Sequence, residues 1–132
     1  MYAKALRTII LIDDHEKAYY DACKWVYEKG SDRLKQLWKI VEHGDEIPSR
    51  GNMGKLKTAF TYSFNELAKK EINFFEILVH NLQRGGDTDV NCAIVMGLIG
   101  AVVGYNGIPG YFKQKIINSR MKDSPRPRDE CF

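Results

Sequence analysis

Apolar residues recur along this chain at intervals of three and four, the helical period, and no segment alternates as a half-buried strand would. Leu6, Ile9 and Ile10 form one apolar face. Tyr19, Ala22, Cys23 and Val26 repeat the i, i+3, i+4, i+7 pattern, and Gly30 ends that helix. Ser31 stands where an N-cap is needed before Leu34, Leu37, Trp38 and Val41. The stretch from His43 to Gly54 contains Gly44, Pro48, Gly51 and Gly54 and reads as a loop. Leu56, Ala59, Phe60, Ser63, Phe64 and Leu67 mark a fourth helix, and Ile72, Phe75, Val79 and Leu82 mark a fifth, which delivers the chain to Gly85. A glycine-studded apolar helix follows, and Asn106-Gly107-Ile108-Pro109 breaks it. Pro109 suits the first turn of a last helix. The tail 123–132, with Pro125 and Pro127, reads as irregular. The pattern predicts an all-α protein of helices joined by short connections, in a single domain over residues 1–132.

Composition narrows the class. Hydrophobic residues make up 44% and charged residues 28%, as in a globular protein with a real core. The apolar run from Cys92 to Val103 is too short to cross a bilayer and contains Gly97 and Gly100. Met1-Tyr2-Ala3-Lys4 lacks the apolar core and cleavage site of a signal peptide. Cys23, Cys92 and Cys131 are widely spaced and odd in number, which predicts reduced thiols rather than a disulfide framework. A cytoplasmic protein with no membrane partner is expected. The net charge of +3 is mild. Lys113, Lys115, Arg120, Lys122, Arg126 and Arg128 gather near the C-terminus, but aromatic residues are not interleaved with them beyond Phe112, so a nucleic-acid partner is not expected.

The chemistry concentrates in Gly85-Gly86-Asp87-Thr88-Asp89-Val90-Asn91, at the mouth of the apolar helix. Residues two apart in an extended or turning backbone point to the same side, so Asp87 and Asp89 can converge on one point. Hard cations such as Mg²⁺ favour carboxylate oxygens. The glycines allow backbone turns that a Cβ would forbid. The other reading is that both aspartates cap the following helix, accepting its free N–H groups at the positive end of the dipole. Spacing alone leaves both readings open. An EF-hand loop is excluded, because Cys92 and Leu98 stand where its Gly and Glu would be.

Gly85-Gly86-Asp87-Thr88-Asp89-x-Asn91, followed by Ala93, Gly97, Gly100, Ala101 and Gly104 and then Ile108-Pro109, resembles the C-terminal signature of the ADP-ribosylglycohydrolase family. Met53-Gly54-Lys55-Leu56-Lys57-Thr58-Ala59-Phe60 resembles a segment that precedes this signature in some members. The likeness covers roughly Gly51 to Pro109 and extends toward Arg126-Pro127. It implies an all-α, orthogonal helical bundle, here a partial ADP-ribosylglycohydrolase-like domain. It also implies Mg²⁺ as cofactor, with Asp87 and Asp89 as metal ligands and Gly85, Gly86, Thr88 and Asn91 supporting the loop. The implied activity is Mg²⁺-dependent hydrolysis of the glycosidic bond that links ADP-ribose to a protein or small acceptor. The implied partners are ADP-ribose and ADP-ribosylated proteins or small molecules. Val90 stands where members usually carry Thr or Ser, and the Thr-Asp-Asp motif that supplies the remaining ligands is not found among these residues. The isolated chain is therefore expected to be incomplete or inactive. A complementing chain or a second copy is expected over the apolar surface so exposed.

The remaining chemistry-bearing residues read as structural. Ile12-Asp13-Asp14 reads as a helix–helix turn that caps the second helix. His80 lies on the polar side of its helix with Glu76 and Gln83 and reads as a surface residue, and no histidine is assigned a catalytic role. Cys92 reads as a buried, inert thiol. Gly97, Gly100 and Gly104 share a face, and the ~1 kcal/mol each costs against alanine predicts close approach of a neighbouring helix. The alternative to an enzyme is a helical interaction module or remnant in which Asp87 and Asp89 only cap a helix.

Overall fold

In a computed structural model of the chain, residues 1–49 and 56–118 are described. The tail 123–132, Met53-Gly54-Lys55, Cys131 and the basic residues from Arg120 onward lie outside the described residues. The described residues form an all-α structure: α1 (Tyr2–Ile12), α2 (His15–Lys29), α3 (Asp32–Glu42), α4 (Leu56–Leu67), α5 (Phe74–Gln83), α6 (Thr88–Gly107) and α7 (Gly110–Asn118).

The expected caps are present. Ser31 accepts the Leu34 N–H at 3.4 Å, and Asp14 accepts the Lys17 N–H at 2.8 Å. Asp13 closes α1 in the left-handed region at φ 55°, and its N–H reaches the Ile9 carbonyl. The Ile12-Asp13-Asp14 turn thus serves two helix ends at once. Gly30 ends α2 in an extended conformation, not a left-handed one.

Two apolar clusters hold the bundle. In the first, Trp38 is fully buried among Tyr19, Phe60 and Phe64, with Phe64 edge-on at a ring separation of 5.1 Å. Ala18, Ala22, Val26, Leu67 and Leu98 complete it. The second joins Tyr62, Ile77, Val95 and Ile99. Helix α4 packs against α6, α3 and α2, and it is buried on nearly every side, Thr58, Thr61, Ser63 and Glu66 included. Thr61 and Ser63 satisfy their hydroxyls by donating to carbonyls one turn back. Helix α4 is thus the most completely buried of the helices, and it packs on the glycine-studded α6.

Helix α6 runs for 20 residues, longer than its apolar run, because Thr88–Asn91 and Gly104–Gly107 extend it at either end. By length and composition alone it could cross a membrane, although it packs on α4, α5 and α1. The break in α6 falls at Gly104 (φ 65°, ψ 176°), earlier than Asn106-Gly107-Ile108-Pro109 suggests. The positive φ there accounts for that glycine. Close helix packing accounts for only one of the other two. A Cβ on Gly100 would meet nothing nearer than Ile108 Cδ1 at 3.8 Å. Only Gly97 receives a close neighbour, the Tyr2 hydroxyl, which donates to the Ile94 carbonyl at 2.7 Å. Gly100→Ala should therefore stabilise the fold by up to about 1 kcal/mol, seen as a raised midpoint in thermal melting. A lowered midpoint would restore the packing explanation.

Candidate functional site

Helix α5 begins at Asn73, whose side chain accepts the N–H groups of Phe75 and Glu76. It ends at Arg84, whose N–H reaches the His80 carbonyl. The chain then turns through Gly85 (φ 69°) and Gly86 (φ 73°), both in the left-handed region. Asp87 follows as the residue that opens α6, and its carbonyl accepts the Asn91 N–H at 3.0 Å. Two glycines in this conformation reverse the chain tightly enough to put both aspartates at the helix mouth.

The two carboxylates are not equivalent. Asp89 is exposed, and the nearby N–H groups of Val90 and of Asp89 itself favour its ionised form. The Asp87 side chain makes no capping bond. It lies instead beside Asp89, close enough to act on that carboxyl. The Val90 N–H, the Asp87 contact and the Asp89 N–H, in that order, hold the Asp89 carboxyl below the usual carboxylate range. Asn91 is buried beneath the pair, Thr88 is half-buried, and Val90 is exposed with no oxygen to offer a cation.

Beneath this loop lies a charged network that the sequence pattern does not single out. The Glu66 carboxylate on α4 is fully buried. It faces Arg84 Nη1 at 3.1 Å, His80 Nδ1 at 3.1 Å and the Lys69 ammonium. Arg84 also donates to Glu46 and to Asn81 Oδ1, and its guanidinium sits 4.1 Å over the Tyr62 ring. Burial works against the Arg84 charge, but Glu46 and Glu66 outweigh it and raise its pKa further. The same pairing, led by the Arg84 hydrogen bond, holds Glu46 below its ordinary value. His80 is thus an exposed residue tied to a buried acid, not a free surface histidine. Glu46, Glu66, Lys69, His80 and Arg84 line a cleft of about 420 Å³. A glutamate inside the apolar row Phe60, Phe64, Leu67 is the one signal that could have pointed to the network.

Residues 1–127 match the family model described as ADP-ribosylglycohydrolase. The chain belongs to the ADP-ribosylglycohydrolase family. The match is wider than the signature around Gly85 and takes in α1, α2 and α3 as well. No curated protein and no solved structure matches.

ADP-ribosylglycohydrolases generally use a divalent metal. The donors here suit such a cation in kind and fall short of it in number. Asp87 and Asp89 offer hard carboxylate oxygens. Among the described residues, however, no group of three or more His, Cys, Asp or Glu is placed to hold a metal, so Asp13 and Asp14 do not complete the pair.

Proposed function

We propose that this chain supplies the Asp87–Asp89 part of a Mg²⁺ site for hydrolysis of ADP-ribosylated proteins or small molecules, as the C-terminal part of an ADP-ribosylglycohydrolase-like domain spanning residues 1–132. The observation that carries the reading is the placement of the two carboxyls side by side at the mouth of α6, with Asp87 spared from capping. Family membership supplies the substrate class. The chemistry a divalent cation supplies in such a site is orientation of the ribose and a water.

This chain's own contribution is narrower. Asp87 and Asp89 place negative charge at one point, and the Val90 N–H keeps Asp89 ionised and ready to bind. Thr88 and Asn91 support the loop from the first turn of α6. A cation held by these two side chains alone keeps most of its ligands as water. The isolated chain therefore binds weakly and turns over little or nothing. No residue is assigned as acid, base or nucleophile. The free thiols of Cys23 and Cys92 fit a reducing, cytoplasmic setting.

Calorimetric titration with ADP-ribose tests the proposal. Binding should require Mg²⁺ and vanish in Asp87→Asn. Binding indifferent to Mg²⁺ would refute the role of the pair, and turnover by the pure chain would refute its incompleteness. A second reading is favoured by Ile10, Leu11 and Ile12, which are 66%, 65% and 52% exposed in succession. Such a stretch suits a helical interaction module covered by a complementing chain or a second copy. A folded chain inert to both Mg²⁺ and ADP-ribose would favour it.

A further inference from the structure

We propose that Arg84 is a positioning residue that sets the conformation of residues 85–89 and so aims the Asp87–Asp89 pair. The inference rests on the reading of that pair as cation ligands for its functional meaning, though not for its geometry.

A glycine pair has little conformational preference of its own, so the direction of Asp87 must be imposed by what anchors the loop on either side. On one side stands the first turn of α6. On the other stands Arg84, fixed through both its side chain and its backbone. The side chain is only 6% exposed. It is held by Glu66 from α4, by Asn81 from α5 and by Glu46 from the segment after α3, and it stacks on Tyr62. Its carbonyl accepts the Ser49 hydroxyl at 2.6 Å. Ser49 is itself buried and lies so close to Gly86 that a Cβ there would come within 2.8 Å of it. The two glycines thus leave a clamped residue and pass directly under a second anchored one.

A buried guanidinium without full pairing is costly. Here Nε, Nη1 and Nη2 all have acceptors, the Nη2 partner being Glu46. The planar fork ties three segments to one point, which a lysine ammonium cannot reproduce. The Trp38 cluster lies on other contacts, so loss of the clamp should loosen the loop without loosening α2.

The test uses the full chain, with ¹⁵N relaxation and Mn²⁺ binding followed by electron paramagnetic resonance. In Arg84→Met, the order parameters of Gly85, Gly86 and Thr88 should fall from about 0.85 to below about 0.6. Those of Ala22 and Val26 should not change. The Mn²⁺ dissociation constant should rise about tenfold, as when a group that orients metal ligands is removed. Arg84→Lys should fall between. An unchanged loop, or an equal loss in α2, would overturn the proposal. If Arg84→Met does not fold, Glu46→Ala decides by the same readout, because it removes one arm of the clamp at a side chain 37% exposed. Its loop must loosen for the proposal to stand. If the unaltered chain binds no Mn²⁺, the cation reading fails, while the order parameters still decide the role of Arg84.

Discussion

Glu66→Ala should destabilise the fold by about 3–5 kcal/mol, the usual cost of stripping one partner from a buried ion pair. Glu66 is fully buried in the last turn of α4, and its Oε1 lies 3.1 Å from both Arg84 Nη1 and His80 Nδ1. Truncation removes both contacts and the Lys69 contact, and it leaves a hole that water must fill or the helices must close. Arg84 cannot follow its charge into solvent without abandoning Tyr62 and Asn81. Glu66→Gln keeps the shape and one acceptor oxygen, so it should cost less, about 1–3 kcal/mol. Denaturant titration separates the cases, with the midpoint falling and the slope unchanged. With total stabilities of about 5–15 kcal/mol typical for natural domains, the alanine variant should lie near the edge of folding. A loss below about 1 kcal/mol would show that Arg84 finds water easily and that the network is a surface feature.

How much of this was legible in the sequence depends on which forces left a periodic trace. Helices are set by the spacing of apolar positions, and those along Tyr19–Val26 and Leu34–Val41 became the buried stripes of α2 and α3. Caps are local chemistry, so Ser31 and Asp14 could be read without any tertiary knowledge. The burial of α4 could not. Thr58, Thr61, Ser63 and Glu66 look like a polar face, and the helix's own carbonyls satisfy Thr61 and Ser63 inside while the Arg84 pairing satisfies Glu66. The break in α6 lies ahead of the local breakers for a related reason. Asn-Gly and Pro are strong local breakers, whereas Gly104 breaks the helix only by adopting a positive φ that nothing in its neighbours announces. The aspartate pair was visible from spacing. The unequal duties of Asp87 and Asp89 were not, because they depend on which carboxylate the first turn's N–H groups reach.

Gly86→Ala should cost about 2–4 kcal/mol, from left-handed strain plus overpacking. At φ 73° a Cβ is disfavoured in itself, and it would stand 2.8 Å from Ser49 Cβ and 3.0 Å from Ser49 Oγ. Ser49 cannot yield cheaply, because it is buried and its hydroxyl is committed to the Arg84 carbonyl. Gly85 provides the internal control. It has a similar φ of 69° but open space where its Cβ would go, so Gly85→Ala should cost only the backbone strain, about 1–2 kcal/mol. The two substitutions therefore separate conformation from collision. In a Ser49→Gly background the extra cost of Gly86→Ala should disappear, and chemical denaturation of the four chains reads this directly. If it persists, the collision is not with Ser49, and the loop is held by strain alone. The same variants bear on the site. The strain and the collision both act at the turn that aims Asp87, so Mn²⁺ binding should weaken in Gly86→Ala more than in Gly85→Ala. Equal weakening would mean that the aspartates tolerate a shifted turn, and that the placement of their carboxyls is set from the α6 side instead.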